Sequence, residues 1–226
     1  MESTKVETAA ILPGLPDHLA AELFAGATAR QLKSGEALFH LGGSGDGCYR
    51  LEKGLLKVVI SSPRGDDRIL AILGPGSLTG ELALIDGRPR SASVFAIRDS
   101  QLSFISRKIF EQCTQQHPEI YLYLVKVLAA RLRDTDDTVA AANFLTVEAR
   151  LARALLDLAR YFREQDNAER VVITHKVRQS DLAAMAGVAR ENVNRVLSDW
   201  SRHKIVTRSG YYFLNDLAAL KRKAGA

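Results

Sequence analysis

Glycine-rich turns punctuate the first half of this chain and then stop at Pro118. Residues 29–106 run through the segments CYRLEKGLLKVVI, RILAIL, SASVFAI and QLSFIS, separated by LGGSGDG, SPRGDD and GPGS. Runs rich in β-branched and aliphatic residues and bounded by glycine clusters read as strands, and many in succession specify a barrel or sandwich. Beyond Pro118 the pattern changes period. Val125, Leu128, Leu132, Thr135, Val139 and Ala142 recur at spacings of 3 and 4, which marks one long helix with an apolar seam. The chain must therefore join a β-rich part to a helical part. A small amphipathic helix, PDHLAAELFAGA, precedes the strands.

With 226 residues, 46% apolar and 25% charged, the chain has the profile of a globular protein with room for two modest domains. No apolar run approaches the roughly 18 residues of a membrane span, and the start MESTKVETAA has neither a basic n-region nor an apolar h-region. The expectation is a cytoplasmic protein with no membrane partner. Cys48 and Cys113 lie far apart without a CxxC, so neither a disulfide framework nor a metal cluster is indicated. The net charge of +5 is unevenly placed. From Thr146 onward there are 15 Lys+Arg against 9 Asp+Glu, which leaves 16 against 17 for the rest. Such asymmetry suits a polyanion-binding C-terminal domain attached to a neutral one.

The helical seam can dock on its own domain or pair with its copy in a two-fold homodimer. A helix this long has little else to bury its stripe against, which favours the dimer. Thr135, followed by Asp136, is the polar member of the seam, and a hydroxyl buried there requires a polar partner.

After a second helix, NFLTVEARLARALLDLARYF, comes VRQSDLAAMAGVARENVNRVLSDWSRHKIVTRSGYYFL. Ser180 is placed to cap a helix beginning at Asp181, and Ala183 with Gly187 permits a close turn between crossed helices. The next helix starts near Arg190. Val193, Val196, Leu197 and Trp200 follow i, i+3, i+4, i+7 and face a core, while Arg190, Glu191, Asn194, Arg195 and Ser198 share the opposite face. KIVTRSGYYFL reads as a hairpin around Ser209 and Gly210. This is a winged helix-turn-helix that presents its second helix to a DNA major groove. Arginine there can read G through O6 and N7, and glutamate can read C through N4.

Between the strands lies GELALIDGRPRSA, residues 80–92. A guanidinium, a hydroxyl and backbone N–H groups at a tight turn make a cradle for a phosphate, and an ionised glutamate accepts from a ribose hydroxyl. A structural Glu81–Arg90 ion pair is the other reading of the same residues. The stretch resembles the phosphate-binding cassette of the cyclic AMP receptor protein family, bacterial dimeric transcription regulators. The resemblance extends over nearly the whole chain. It implies an α+β fold with a cyclic-nucleotide-binding β-roll (a double-stranded β-helix barrel) in residues 1–117, a dimerisation helix in 118–145 and a winged helix-turn-helix in 146–226.

By that resemblance Gly80, Glu81 and Leu82 lie at the ribose, and Arg90, Ser91 and the Ala92 amide hold the cyclic phosphate. Arg131 matches an arginine near the base. Thr135 grips the adenine amine together with Asp136, which stands where the founding member of the family has serine. The implied ligand is cyclic AMP, with cyclic GMP as the alternative base. Arg178, Gln179, Arg190, Glu191, Asn194 and Arg195 form the implied DNA-contacting set, for palindromic sites with TGTGA-like half-sites about 34 Å apart. The implied protein is a homodimeric activator that binds double-stranded DNA and works with RNA polymerase, with no catalytic residues and no metal. Three other readings stay open. One is a relative that senses a redox signal, or haem through His18, His40, His117, His175 or His203. Another is a constitutive DNA binder. The third is a cupin-like β-roll enzyme, for which the β region offers only His40 as a metal ligand.

Overall fold

Alternation and turn chemistry build the first part of the chain as a sheet closed by short helices. The computed structural model describes residues 15–165 and 171–225; the leader-free reading of residues 1–10 lies outside them. Helix α1 (Asp17–Ala25) leads into β1 (Thr28–Leu32), β2 (Ala37–Phe39), β3 (Gly47–Ser61), β4 (Asp67–Leu73), β5 (Leu78–Thr79), α2 (Glu81–Asp86), β6 (Ser93–Ser106), α3 (Arg107–Gln116) and α4 (Ile120–Phe144). The strands form one six-stranded sheet in the order β1-β6-β3-β4, with β2 also on β6 and β5 also on β3. Two long strands are its spine: β3 and β6 run antiparallel from Gly47 opposite Ser106 to Val59 opposite Ser93. SASVFAI and QLSFIS, expected as separate segments, are one strand. Register shifts between Leu51 and Leu56 of β3 interrupt the ladder locally.

Two buried clusters sit on this frame. One gathers Leu32, Leu51, Leu56, Leu73, Val94, Ala96 and Leu102 inside the sheet. The other joins Leu19 and Leu23 of α1, Ile105 and Phe110, and Ile120, Leu124 and Val127 of α4. Each fully buried aliphatic side chain of this kind contributes about 1.5–3 kcal/mol, so α4 is anchored by its first two turns. That docking stripe is not the heptad seam. Val125, Leu132 and Val139 are 59%, 62% and 55% exposed. The helix thus carries two apolar stripes, one spent on its own domain and one facing outward.

Contacts divide the chain into two compact units, one comprising the residues up to Ser62 with Ile69–Thr135, the other Pro63–Arg68 with the residues from Asp136 onward. The second unit contains α5 (Val147–Phe162), β7 (Arg163–Gln165), β8 (Val171–Ile173), α6 (Gln179–Ala186), α7 (Arg190–Arg202), β9 (Val206–Ser209), β10 (Tyr211–Leu214) and α8 (Leu217–Lys223). The hairpin pairs around Gly210, with Tyr211 opposite Ser209, and β8 and β7 extend it to a four-stranded sheet. Ser180 does not cap α6. Arg178 holds the N-cap position in extended geometry (φ −76°, ψ 151°), so helical turns begin at Gln179 and Ser180 falls within the first turn. No helix among the described residues is long and apolar enough to cross a membrane.

Candidate functional site

The cassette begins where β5 ends. Gly80 adopts a left-handed conformation (φ 83°), which turns the chain sharply into α2. A Cβ at Gly80 would collide with Nη1 of Arg90, so the glycine serves both the turn and the close approach. After α2 the chain returns through Arg90, whose backbone exchanges two 2.8 Å hydrogen bonds with Gly42 and Gly43.

Two of the cassette's charged side chains are buried, Glu81 at 1% exposed and Arg90 at 3%, whereas Asp86 and Arg88 are exposed. Buried ions are tolerated only with good partners. Nη1 of Arg90 donates to the carbonyls of Gly47 (2.9 Å) and Gly80 (2.7 Å), and its guanidinium lies 4.4 Å over the Phe39 ring. Oε1 of Glu81 accepts from Nη1 of Arg131, while Nη2 of Arg131 donates to the Leu78 carbonyl. The Glu81–Arg90 pair does not form, because each residue has a separate partner. Within the cassette two buried polar atoms, Oε2 of Glu81 and Nε of Arg90, have no hydrogen-bond partner among the described residues. Cys48 lies in the same surroundings, and burial, reinforced by the Glu81 charge, pushes its thiol far up and keeps it protonated.

Most of the other residues expected here lie at the surface. Ser91 and Leu82 are exposed, Ala92 is buried, and Thr135 and Asp136 are exposed further along α4. The Thr135 hydroxyl donates to the Arg131 carbonyl at 2.8 Å. Arg131 is the member of the set that physically joins α4 to the cassette. Phe39, Asp46, Gly47 and Leu78 complete the site without having been marked by the sequence. The histidines have other neighbours: His40 meets the Phe95 ring edge-on, His117 lies 2.6 Å from Glu22, and His175 stacks on Phe162. Among the described residues no group of three or more His, Cys, Asp or Glu could hold a metal ion.

In the second unit Gly187 ends α6 in a left-handed conformation (φ 62°), and Arg150 of α5 braces the turn by donating to its carbonyl at 3.1 Å. Helix α7 buries Val193, Val196, Leu197 and Trp200. Its opposite face exposes Arg190, Glu191, Asn194, Arg195 and Ser198. Arg195 donates to Asn192 at 3.1 Å, and Arg178 lies exposed 3.9 Å from Asp181, while Gln179 is half-buried.

Residues 29–117 match the cyclic nucleotide-binding domain family, and residues 149–223 match the Crp-like helix-turn-helix domain. A CRP-like cAMP-activated global transcriptional regulator from Mycobacterium tuberculosis is 32% identical over 191 residues, 84% of this chain and 85% of that protein. The chain belongs to the cyclic AMP receptor protein (CRP) family. As a CRP family member it is a DNA-binding transcription regulator. A solved CRP/FNR-family regulator from Thermus thermophilus has the same fold, with a TM-score of 0.76, 26% identity, and coverage of 88% of this chain and 99% of that one. The c-di-GMP-responsive global regulator CLP of Xanthomonas campestris superposes with a TM-score of 0.79 over the same shares, at 22% identity.

Proposed function

We propose that this CRP family regulator is a homodimer whose DNA binding is controlled by a cyclic nucleotide, cyclic AMP in preference to cyclic GMP, held in the 80–92 cassette. The carrying observation is the pair of buried, unpartnered atoms: an acceptor on Glu81 and a donor on Arg90. An unsatisfied buried polar atom costs about 1–3 kcal/mol, and a ligand bearing a hydroxyl and an oxyanion removes both costs. In this reading Arg90, the Ser91 hydroxyl and the Ala92 amide hold the cyclic phosphate, while Gly80, Glu81 and Leu82 border the ribose. Arg131 ties that event to α4, because it already bridges Glu81 and the Leu78 carbonyl. Thr135 and Asp136 meet the base across the paired helices, which the outward stripe of Val125, Leu132 and Val139 brings together.

A ligand that binds one arrangement of the paired helices better shifts the population toward it. Arg190, Glu191, Asn194 and Arg195 then read base edges in successive major grooves, with Arg178 and Gln179 at the border of the site. Asp136 sets the base preference. Adenine offers N6–H donors to this acceptor, whereas guanine held the same way offers O6, a second acceptor. The test is a side-by-side titration of cyclic AMP and cyclic GMP on the parent and on Asp136→Ser, read by calorimetry and DNA mobility shift. Tighter binding and stronger DNA activation by cyclic AMP, with a narrower gap in Asp136→Ser, support the reading. A parent that responds equally or better to cyclic GMP overturns the base assignment, and DNA binding unchanged by either nucleotide overturns ligand control.

A further inference from the structure

We propose that Asp46 sets the charge selectivity of the cassette: its carboxylate, at the edge of the Arg90 guanidinium, admits the monoanion of a cyclic phosphodiester and selects against the dianion of a phosphate monoester such as a nucleoside 5′-monophosphate. This role rests on the cyclic-nucleotide reading of the site and adds to it a residue that distinguishes the cyclic phosphate from its ring-opened form.

The sequence SGDG, residues 44–47, builds the feature. A Cβ at Gly45 would collide with that of Ala83 and come within 3.3 Å of Cζ of Arg90, and a Cβ at Gly47 would strike the Ile105 carbonyl and the Phe104 ring. Between them the Asp46 carbonyl accepts from the Arg107 N–H at 2.7 Å, which fixes the backbone. Asp46 is thus the one side chain that Gly45, Asp46 and Gly47 present, and its Oδ1 lies 3.9 Å from Nη2 of Arg90. The two partners differ in setting, for the Arg90 side chain is 3% exposed and that of Asp46 82%. Glu81 does not share this part, because Arg131 holds its Oε1.

The edge of Arg90 that remains available decides what Asp46 does. Nη1 is engaged by the Gly47 and Gly80 carbonyls, while the buried Nε has no hydrogen-bond partner among the described residues. Nε and Nη2 form the side-on fork of a guanidinium, which takes two oxygens of one phosphate. A phosphate seated there lies beside Asp46, since Nη2 is the nitrogen that Asp46 faces. Arg90 alone would attract a more highly charged ester more strongly, and the carboxylate offsets that advantage because its repulsion scales with the charge of the ligand. A cyclic phosphodiester carries a single negative charge, whereas a monoester carries about 1.5 to 2 at neutral pH. Solvent screens the exposed carboxylate, so the discrimination is several-fold rather than absolute.

The experiment titrates full-length parent, Asp46→Asn and Asp46→Glu with cyclic AMP by calorimetry and with 5′-AMP by displacement of cyclic AMP, at about 50 mM salt, where exposed charges are little screened. Asparagine is isosteric with aspartate and the position is exposed, so Asp46→Asn retains the fold. It is expected to tighten cyclic AMP about threefold and 5′-AMP about tenfold, narrowing the ratio of the two affinities. The difference in shape between the ligands is common to parent and variant and cancels in that comparison. Asp46→Glu keeps the charge and the parental ratio. A parental ratio in Asp46→Asn, including 5′-AMP that displaces nothing from either protein, overturns the selectivity role. Weaker binding of both nucleotides overturns it as well and makes Asp46 a brace for Arg90. A parent that binds no cyclic AMP overturns the cyclic-nucleotide reading and the selectivity role together, whereas failure of the selectivity role alone leaves parental cyclic AMP binding intact.

Discussion

Arginine and glutamate occur both in the cassette and on the polar face of α7, under opposite conditions. In the cassette Glu81 and Arg90 are withdrawn from water and held by Arg131, by two backbone carbonyls and by an aromatic ring. On α7, Arg190, Glu191 and Arg195 stand in solvent. Desolvating an ion costs several kcal/mol unless its partners are well placed, so the cassette charges take part in folding before any ligand arrives. The α7 charges remain hydrated, and in the proposed function their desolvation is deferred to the encounter with DNA. Substitutions in the cassette should therefore change stability and binding together, and substitutions on α7 should change binding alone.

Arg90→Ala gives the largest effect. It removes both Nη1 bonds and the guanidinium that covers Phe39, leaving the Gly47 and Gly80 carbonyls without their donor. Stability should fall by about 1–3 kcal/mol, and cyclic nucleotide affinity by about 2–5 kcal/mol, as for truncating one side of a desolvated charge pair. Arg90→Lys should rescue little, because an ammonium cannot span two carbonyls and a phosphate with a planar fork. Denaturant unfolding and calorimetry measure the two quantities. A variant that binds nucleotide within a few-fold of the parent would place Arg90 among structural residues only.

Gly80→Ala probes the same site with a smaller change. The new Cβ must sit in a left-handed conformation and displace the Arg90 guanidinium. A loss of about 1–3 kcal/mol in stability is expected, with a weaker nucleotide response because Arg90 has moved. An unfolding midpoint equal to the parent's would show that the cassette backbone is more pliant than the packing of Arg90 implies.

These contrasts track what the sequence could reveal. The α7 face was legible because helical periodicity assigns Val193, Val196, Leu197 and Trp200 to one side and the polar residues to the other, with no knowledge of distant partners. The outward stripe of α4 was legible for the same reason. The cassette was legible as a set of residue types, but its partners were not. Arg131 reaches Glu81 from 50 positions away, and Arg90 reaches Gly47 from 43, through a sheet register that local patterns do not encode. The second stripe of α4, Ile120, Leu124 and Val127, was hidden behind the more regular seam. Ser180 misled because a hydroxyl near a helix start is a local signal, whereas the extended backbone of Arg178 sets where α6 begins.

Glu191→Ala gives the smallest effect on stability and tests the comparison most directly. Glu191 is exposed in the first turn of α7, and no described side chain donates to it, so unfolding should shift by no more than about 0.5 kcal/mol. Binding should change in kind rather than only in strength. A carboxylate accepts from the amine of cytosine N4 and is repelled by the acceptors that guanine and thymine present in the major groove, so its removal should relax discrimination at one C·G pair by about 1–3 kcal/mol while other positions keep theirs. Affinities for the palindrome and its single-base variants, measured beside a denaturation curve, separate the cases. Unchanged stability with relaxed preference at one position places Glu191 among the base readers. A uniform loss would make it an electrostatic contributor to the surface, and a large loss of stability would show that this face of α7 shares the structural burden carried by the cassette.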